Sequence, residues 1–166
     1  MNVTLLFVST LFSGLMAGLF YAWSISVTPG IGQIDDASYL RAFQSMNRAI
    51  INPLFIVVFL GLQILLFFVA YQYYQAESGT QFWLILTAAI LYAGGVMLVT
   101  GIGNVPLNNT LEALNIPEMN LAEMREFREG FEQRWNRLNN LRTLMSLATF
   151  ASLIVACLIE NNFRVS

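Results

Sequence analysis

The chain has 166 residues, 57% of them hydrophobic and 11% charged, with a formal net charge of −2. A soluble domain carries about 25% charged residues, so this chain has too few to clothe a water-facing surface, and lipid is the expected solvent and partner. It has no basic run, so nucleic acid is not an expected partner, and no histidine, so the commonest metal ligand and the commonest acid–base group near neutral pH are missing.

The length fits one domain, residues 1–166. Four apolar runs come close to the roughly 20 residues that cross a bilayer. They are Leu5 to Val27, Ile51 to Tyr73, Phe82 to Thr100, and a stretch from just after Arg142 to near Ile159; none contains Asp, Glu, Lys or Arg. The first has no basic residues before it and a long apolar core, so it reads as a retained span rather than a cleaved signal. Lipid offers the backbone no hydrogen bonds, so all four must be helices. The expected fold is therefore all-α, a four-helix transmembrane bundle with helical extramembrane segments on one face. Gly14, Gly18 and the run Ala93-Gly94-Gly95 are candidates for close helix contacts. Cys157 has no partner for a disulfide and reads as a small buried hydrophobe.

The connections are unequal. Gln75 to Gln81 is a tight turn containing Ser78-Gly79. Pro29 to Ile50 and Gly101 to Leu141 are long, lie on one side, and hold nearly all the charge; the other side keeps Glu77, Glu160 and Arg164. In the first long connection Asp35, Asp36 or Ser38 can cap a helix that places Leu40, Phe43, Asn47 and Ile50 on one face. Asn52-Pro53 then starts the second span, with Asn as cap and Pro in the first turn. In the second long connection Asn120 and Glu123 have capping-box spacing. Met124, Phe127, Phe131, Trp135 and Leu138 form an apolar stripe that leads into the fourth span. One helix from Leu121 to Ile159 would measure about 58 Å and must project beyond the hydrocarbon. Between these elements lies Gly103-Asn104-Val105-Pro106-Leu107-Asn108-Asn109-Thr110, read as the stop of the third helix followed by a turn, with Asn108 to Thr110 also able to start a short helix through Leu114. A short echo, Val27-Thr28-Pro29-Gly30-Ile31-Gly32 against Val99-Thr100-Gly101-Ile102-Gly103, suggests two similar halves.

Ala42 to Phe55 (AFQSMNRAIINPLF), Gly103 to Leu114 (GNVPLNNTLEAL) and Phe131 to Phe150 (FEQRWNRLNNLRTLMSLATF) occur in that order. With the glycine-containing first span they resemble the anthrone oxygenase family of small membrane proteins. The resemblance implies four spans. It also implies oxidation of an anthrone to an anthraquinone by O2 with no obvious cofactor, although most bacterial relatives have no assigned activity. The family's last block commonly reads Trp, three residues, Asn-His, one residue, Arg. Here it reads Trp135, Asn139, Asn140 and Arg142, with Asn140 in the place of the histidine, which excludes a catalytic histidine.

Such chemistry needs an apolar slot for a flat aromatic small molecule, a base, and donors for an oxyanion. Arg142 and Asn139 are the candidate catalytic residues. Asn47, Arg48, Asn52, Asn104, Asn108 and Trp135 are the candidate binding residues, no metal ligands are proposed, and no cofactor is expected. Gln44 is a further donor. Asp35, Asp36 or Glu112 can serve as base if their segments fold back over the slot. Arg142 is expected to point inward and bond the loop from Asn104 to Asn109. Plainer roles are also available: Asn104 and Pro106 as a helix stop, Arg142 as a boundary residue reaching for water, Trp135 as an interfacial anchor.

Two functions fit these residues. One is a cofactor-independent oxygenase acting on an anthrone-like aromatic. The other is a noncatalytic lipid-binding or self-assembling membrane protein, since the Phe- and Leu-covered second span is compatible with a homo-oligomer. The arginine bias places the face with the long connections in the cytoplasm of a bacterial inner membrane.

Overall fold

The computed structural model describes the backbone of residues 3–165 and the side chains of residues 3–159. Five helices account for most of the described chain: α1 (Val3–Ile31), α2 (Asp36–Ile50), α3 (Pro53–Gln75), α4 (Gly79–Glu112) and α5 (Leu121–Val165). Helices α1, α3, α4 and the part of α5 from Leu121 to Ile159 are long and apolar enough to cross a membrane. They form a closed ring in which α1 packs on α5, α5 on α4, α4 on α3, and α3 on α1. The bundle core is apolar, with Leu6, Leu62, Leu66, Val69, Ile85, Val96 and Leu153 fully buried. Of the charges assigned to the side with the short turn, Glu160 and Arg164 lie outside the residues with described side chains.

Helix starts follow the local chemistry. The Asp35 carboxylate accepts from the Ser38 backbone N–H at 3.0 Å and caps α2. Hydrogen bonding from Ser38 holds that carboxyl below the usual carboxylate range. The Asn52 amide oxygen accepts from Phe55 N–H at 3.0 Å and caps α3, with Pro53 in its first turn. Asn120 and Glu123 exchange hydrogen bonds of 2.8 and 3.0 Å at the start of α5. In the tight turn it is Glu77, with φ of 53°, that takes the left-handed conformation rather than Gly79.

The third helix departs from expectation. It does not stop at Asn104 but runs on to Glu112, so the expected short helix after Asn108 is the continuation of the third helix and no loop separates the two. The reason lies in the backbone. Thr100–Asn104 forms a π-helical turn, and Val105 N–H bonds back five residues to Thr100 O. Pro106, which has no N–H to give, then falls in the first turn of a fresh α-helical stretch, where none is needed. The first helix does the same: Trp23–Val27 is a π-helical turn, Thr28 N–H reaches Trp23 O, and Pro29 follows without ending the helix.

Outside the bundle, α2, the end of α4, the connection after it and the first half of α5 share a second core of Tyr39, Leu40, Phe43, Leu111, Ile116, Met124, Phe131 and Trp135. The Phe43 ring meets Phe131 and Trp135 edge-on, each at 4.9 Å between centroids. Arg128 fixes this layer to the end of α1. It donates to Gly32 O at 2.7 Å, Ile34 O at 2.8 Å, Asp36 at 2.9 Å and Glu132 at 2.9 Å, and its guanidinium lies 4.3 Å from the Tyr39 ring centroid.

Candidate functional site

A cavity of ≈ 330 Å³ opens between the two cores. Its apolar wall comes from Leu19, Phe20 and Trp23 of α1, Met46 and Ile50 of α2, and Ile51 and Phe55 at the start of α3. Its polar wall comes from three helices, with Asn47 and Arg48 on α2. Thr100, Asn104, Asn108 and Glu112 descend α4 at steps of four, and Trp135, Asn139 and Arg142 lie on one side of α5. Of the eight residues singled out from the sequence, the cavity gathers seven: Asn47, Arg48, Asn104, Asn108, Trp135, Asn139 and Arg142. Asn52 is outside the lining; its side chain is committed to the α3 cap and to Ala49 O.

Arg142 faces inward and is only 7% exposed, so it does not reach for bulk water. It bonds Asn139 Oδ1 at 2.9 Å and Thr100 Oγ1 at 3.3 Å, and not the stretch from Asn104 to Asn109 as its spacing had suggested. The difference arises because that stretch is helical, which turns Thr100 rather than a loop amide toward α5. The guanidinium sits 4.7 Å from the Phe20 ring centroid and 5.4 Å from that of Trp135. Its Nε is buried without a protein partner. Among the described residues, the ion pairs join Arg48 to Glu112, Arg125 to Glu129, and Arg128 to Asp36 and Glu132; none involves Arg142. Arg142 is thus a buried cation with aromatic neighbours, no ion-pair partner among the described residues and one N–H without a protein partner.

The remaining amides divide by bonding state. Asn139 is committed: it donates to Ser24 Oγ at 2.8 Å and Phe20 O at 3.4 Å while accepting from Arg142. Asn108 accepts from the indole N–H of Trp135 at 2.9 Å, so Trp135 is a buried wall of the cavity and not a lipid anchor. Asn104 is 1% exposed and neither end of its amide has a protein partner; Asn47 Nδ2 is likewise buried and unpartnered. Gln44 is used elsewhere, donating to Leu111 O and Leu114 O.

Of the three candidate bases, only Glu112 reaches the cavity, paired with Arg48 at 2.6 Å. Asp35 is an exposed cap and Asp36 is held by Arg128. Sequence reasoning missed Phe20, Trp23, Ser24 and Thr100, which lie in apolar runs where nothing marks them; their role follows from facing α5. Asn140, in the position where the resemblance places a histidine, is exposed and absent from the lining, so that difference falls off the cavity. Among the described residues no group of three His, Cys, Asp or Glu side chains is placed to hold a metal ion.

The family model for anthrone oxygenases matches residues 41–152, from α2 to the middle of α5. The chain belongs to the anthrone oxygenase family. The match contains every cavity residue contributed by α2, α3, α4 and α5, and leaves out only the α1 wall. No curated protein and no solved structure matches the chain.

Proposed function

We propose that this member of the anthrone oxygenase family oxygenates a flat, anthrone-like aromatic with O2 and no further cofactor. The observation that carries this reading is Arg142, a buried guanidinium with an unpartnered Nε in an aromatic-walled cavity. An anthrone is a carbon acid whose conjugate base carries its charge on the ring-ketone oxygen. Arg142 Nε would bind that oxyanion and lower the barrier to proton loss. Glu112, the carboxylate of the cavity lining, would take the proton from the CH2 group. The carbanion passes one electron to O2, and the two radicals combine to a peroxide. Loss of water, with the proton returned, leaves a ketone. The balance is one CH2 and one O2 to one C=O and one H2O.

The reading includes a single membrane domain in a bacterial inner membrane, with the cavity face cytoplasmic. The exposed side of α3, with Leu54, Val57, Ile64, Phe67 and Tyr71, would meet lipid or a second copy. Exposed Ile51 and Val105 at the cavity edge support entry of an apolar substrate from the bilayer. The same rim also suits a noncatalytic lipid-binding protein, and one assay separates the two. Purified protein in detergent should consume O2 when an anthrone is added, faster than the protein-free solution, and Arg142→Met should remove the excess. Uptake at the protein-free rate would end the oxygenase reading.

A further inference from the structure

The short turn between α3 and α4 lies at the opposite end of the bundle from the cavity and has a pocket of its own. The pocket measures ≈ 390 Å³, and Tyr74, Glu77, Phe82 and Trp83 are among its lining residues. We infer that it binds the ammonium head group of a membrane lipid, with the Glu77 carboxylate as counter-charge and the rings of Tyr74 and Trp83 as walls.

Charge, backbone and ring packing converge on this turn. Among the described side chains at this end of the bundle, Glu77 is the one charged residue. It takes part in none of the ion pairs among the described residues. Glu77 is also the one non-glycine residue of the described chain with a positive φ, 53°. That conformation costs a glutamate energy and costs a glycine almost none, yet Gly79, two residues later, has no positive φ. The strained position thus carries a carboxylate, and that carboxylate belongs to the pocket lining. The Phe82 ring centroid lies 5.3 Å from that of Tyr74 and 4.9 Å from that of Trp83, so the aromatic groups are held together although Tyr74 and Trp83 are exposed. An aromatic belt at a membrane surface needs no acid among its rings. Aromatic faces joined to a carboxylate suit an organic ammonium, through cation–π attraction and an N–H donated to the acid. The occupant is a lipid because the turn joins two membrane-spanning helices, and exposed Trp83 shares its side of α4 with exposed Ile90, two turns further into the span.

Lipid retention, read by native mass spectrometry of the purified protein, tests this. The protein is offered equal amounts of phosphatidylethanolamine and an uncharged glucosyl-diacylglycerol with the same acyl chains. Wild type should retain the amine lipid in about three- to tenfold excess. Glu77→Gln should abolish the excess and Trp83→Leu should reduce it. Glu77→Gly should also abolish it without lowering the melting temperature, because glycine accepts the positive φ. Equal retention of the two lipids by wild type overturns the inference, and that comparison needs no variant to fold. An excess that survives Glu77→Gln overturns it as well, since the amine then sits elsewhere. Displacement of the retained lipid by an equal concentration of free ethanolamine would make the ligand a soluble amine and overturn the assignment to lipid.

Discussion

Arg142 donates from one terminal nitrogen to the amide oxygen of Asn139, three residues earlier on the same helix, at 2.9 Å. Asn139 in turn donates to Ser24 Oγ on α1, so the guanidinium is oriented from one side while its Nε stays free. This fixes what substitutions should do. Arg142→Met removes a buried charge that has no ion-pair partner but takes the donor from the Asn139 oxygen, two effects that oppose each other. The melting temperature in detergent should change little, while anthrone-dependent turnover falls by about 100-fold or more. Arg142→Lys should not restore activity, because an ammonium cannot bond Asn139 and Thr100 and still present a planar side donor. A variant that melts early would instead make the residue a structural clamp.

Arg128 ties the extramembrane layer together through four acceptors on three segments. Its side chain is 12% exposed and the two carboxylates 32% and 26%. Charge-assisted bonds of this kind are worth about 1.5–3 kcal/mol each at most and less where water screens them. Arg128→Ala should destabilise by about 2–4 kcal/mol, with limited proteolysis first cutting near 121–135. Arg128→Lys should recover less than half of the loss. Protease resistance equal to wild type would show that the aromatic core alone holds this layer.

Two neighbouring glycines should behave oppositely. A Cβ on Gly95 would overlap the Met145 side chain of α5, whereas one on Gly94 meets nothing within 4 Å. Gly95→Val should destabilise by about 1–3 kcal/mol through overpacking, and Gly94→Ala should be close to neutral. Adding Met145→Ala to Gly95→Val should return much of the loss, because the two changes share one contact. Additive effects in thermal unfolding would place the cost of Gly95→Val outside that contact.

The arginines concentrate on the cavity face, and the positive-inside rule predicts that this face is cytoplasmic. With Cys157→Ser as background, Asn120→Cys should react with a membrane-impermeant maleimide only after cells are opened, and Thr80→Cys should react from outside. The reverse pattern would put the cavity on the outer side.

The sequence determined the four spans, because apolar length is a local property that lipid converts directly into helix. It also determined the caps at Asp35, Asn52 and Asn120, whose partners lie three residues away. The stripe of α5 was legible as far as Trp135, Asn139 and Arg142 sharing a side. What the sequence could not decide was how α4 continues. Local preference reads Asn104 and Pro106 as a stop, while packing against α5 and a π-helical turn carry the helix eight residues further, to Glu112. That continuation sets which residues face Arg142: Thr100 bonds it, Asn108 goes to Trp135, and Asn104 is left unpartnered in the cavity. Which amide is bonded and which is free depends on contacts between residues 27 to 119 positions apart, and only the closed ring of helices brings those residues together.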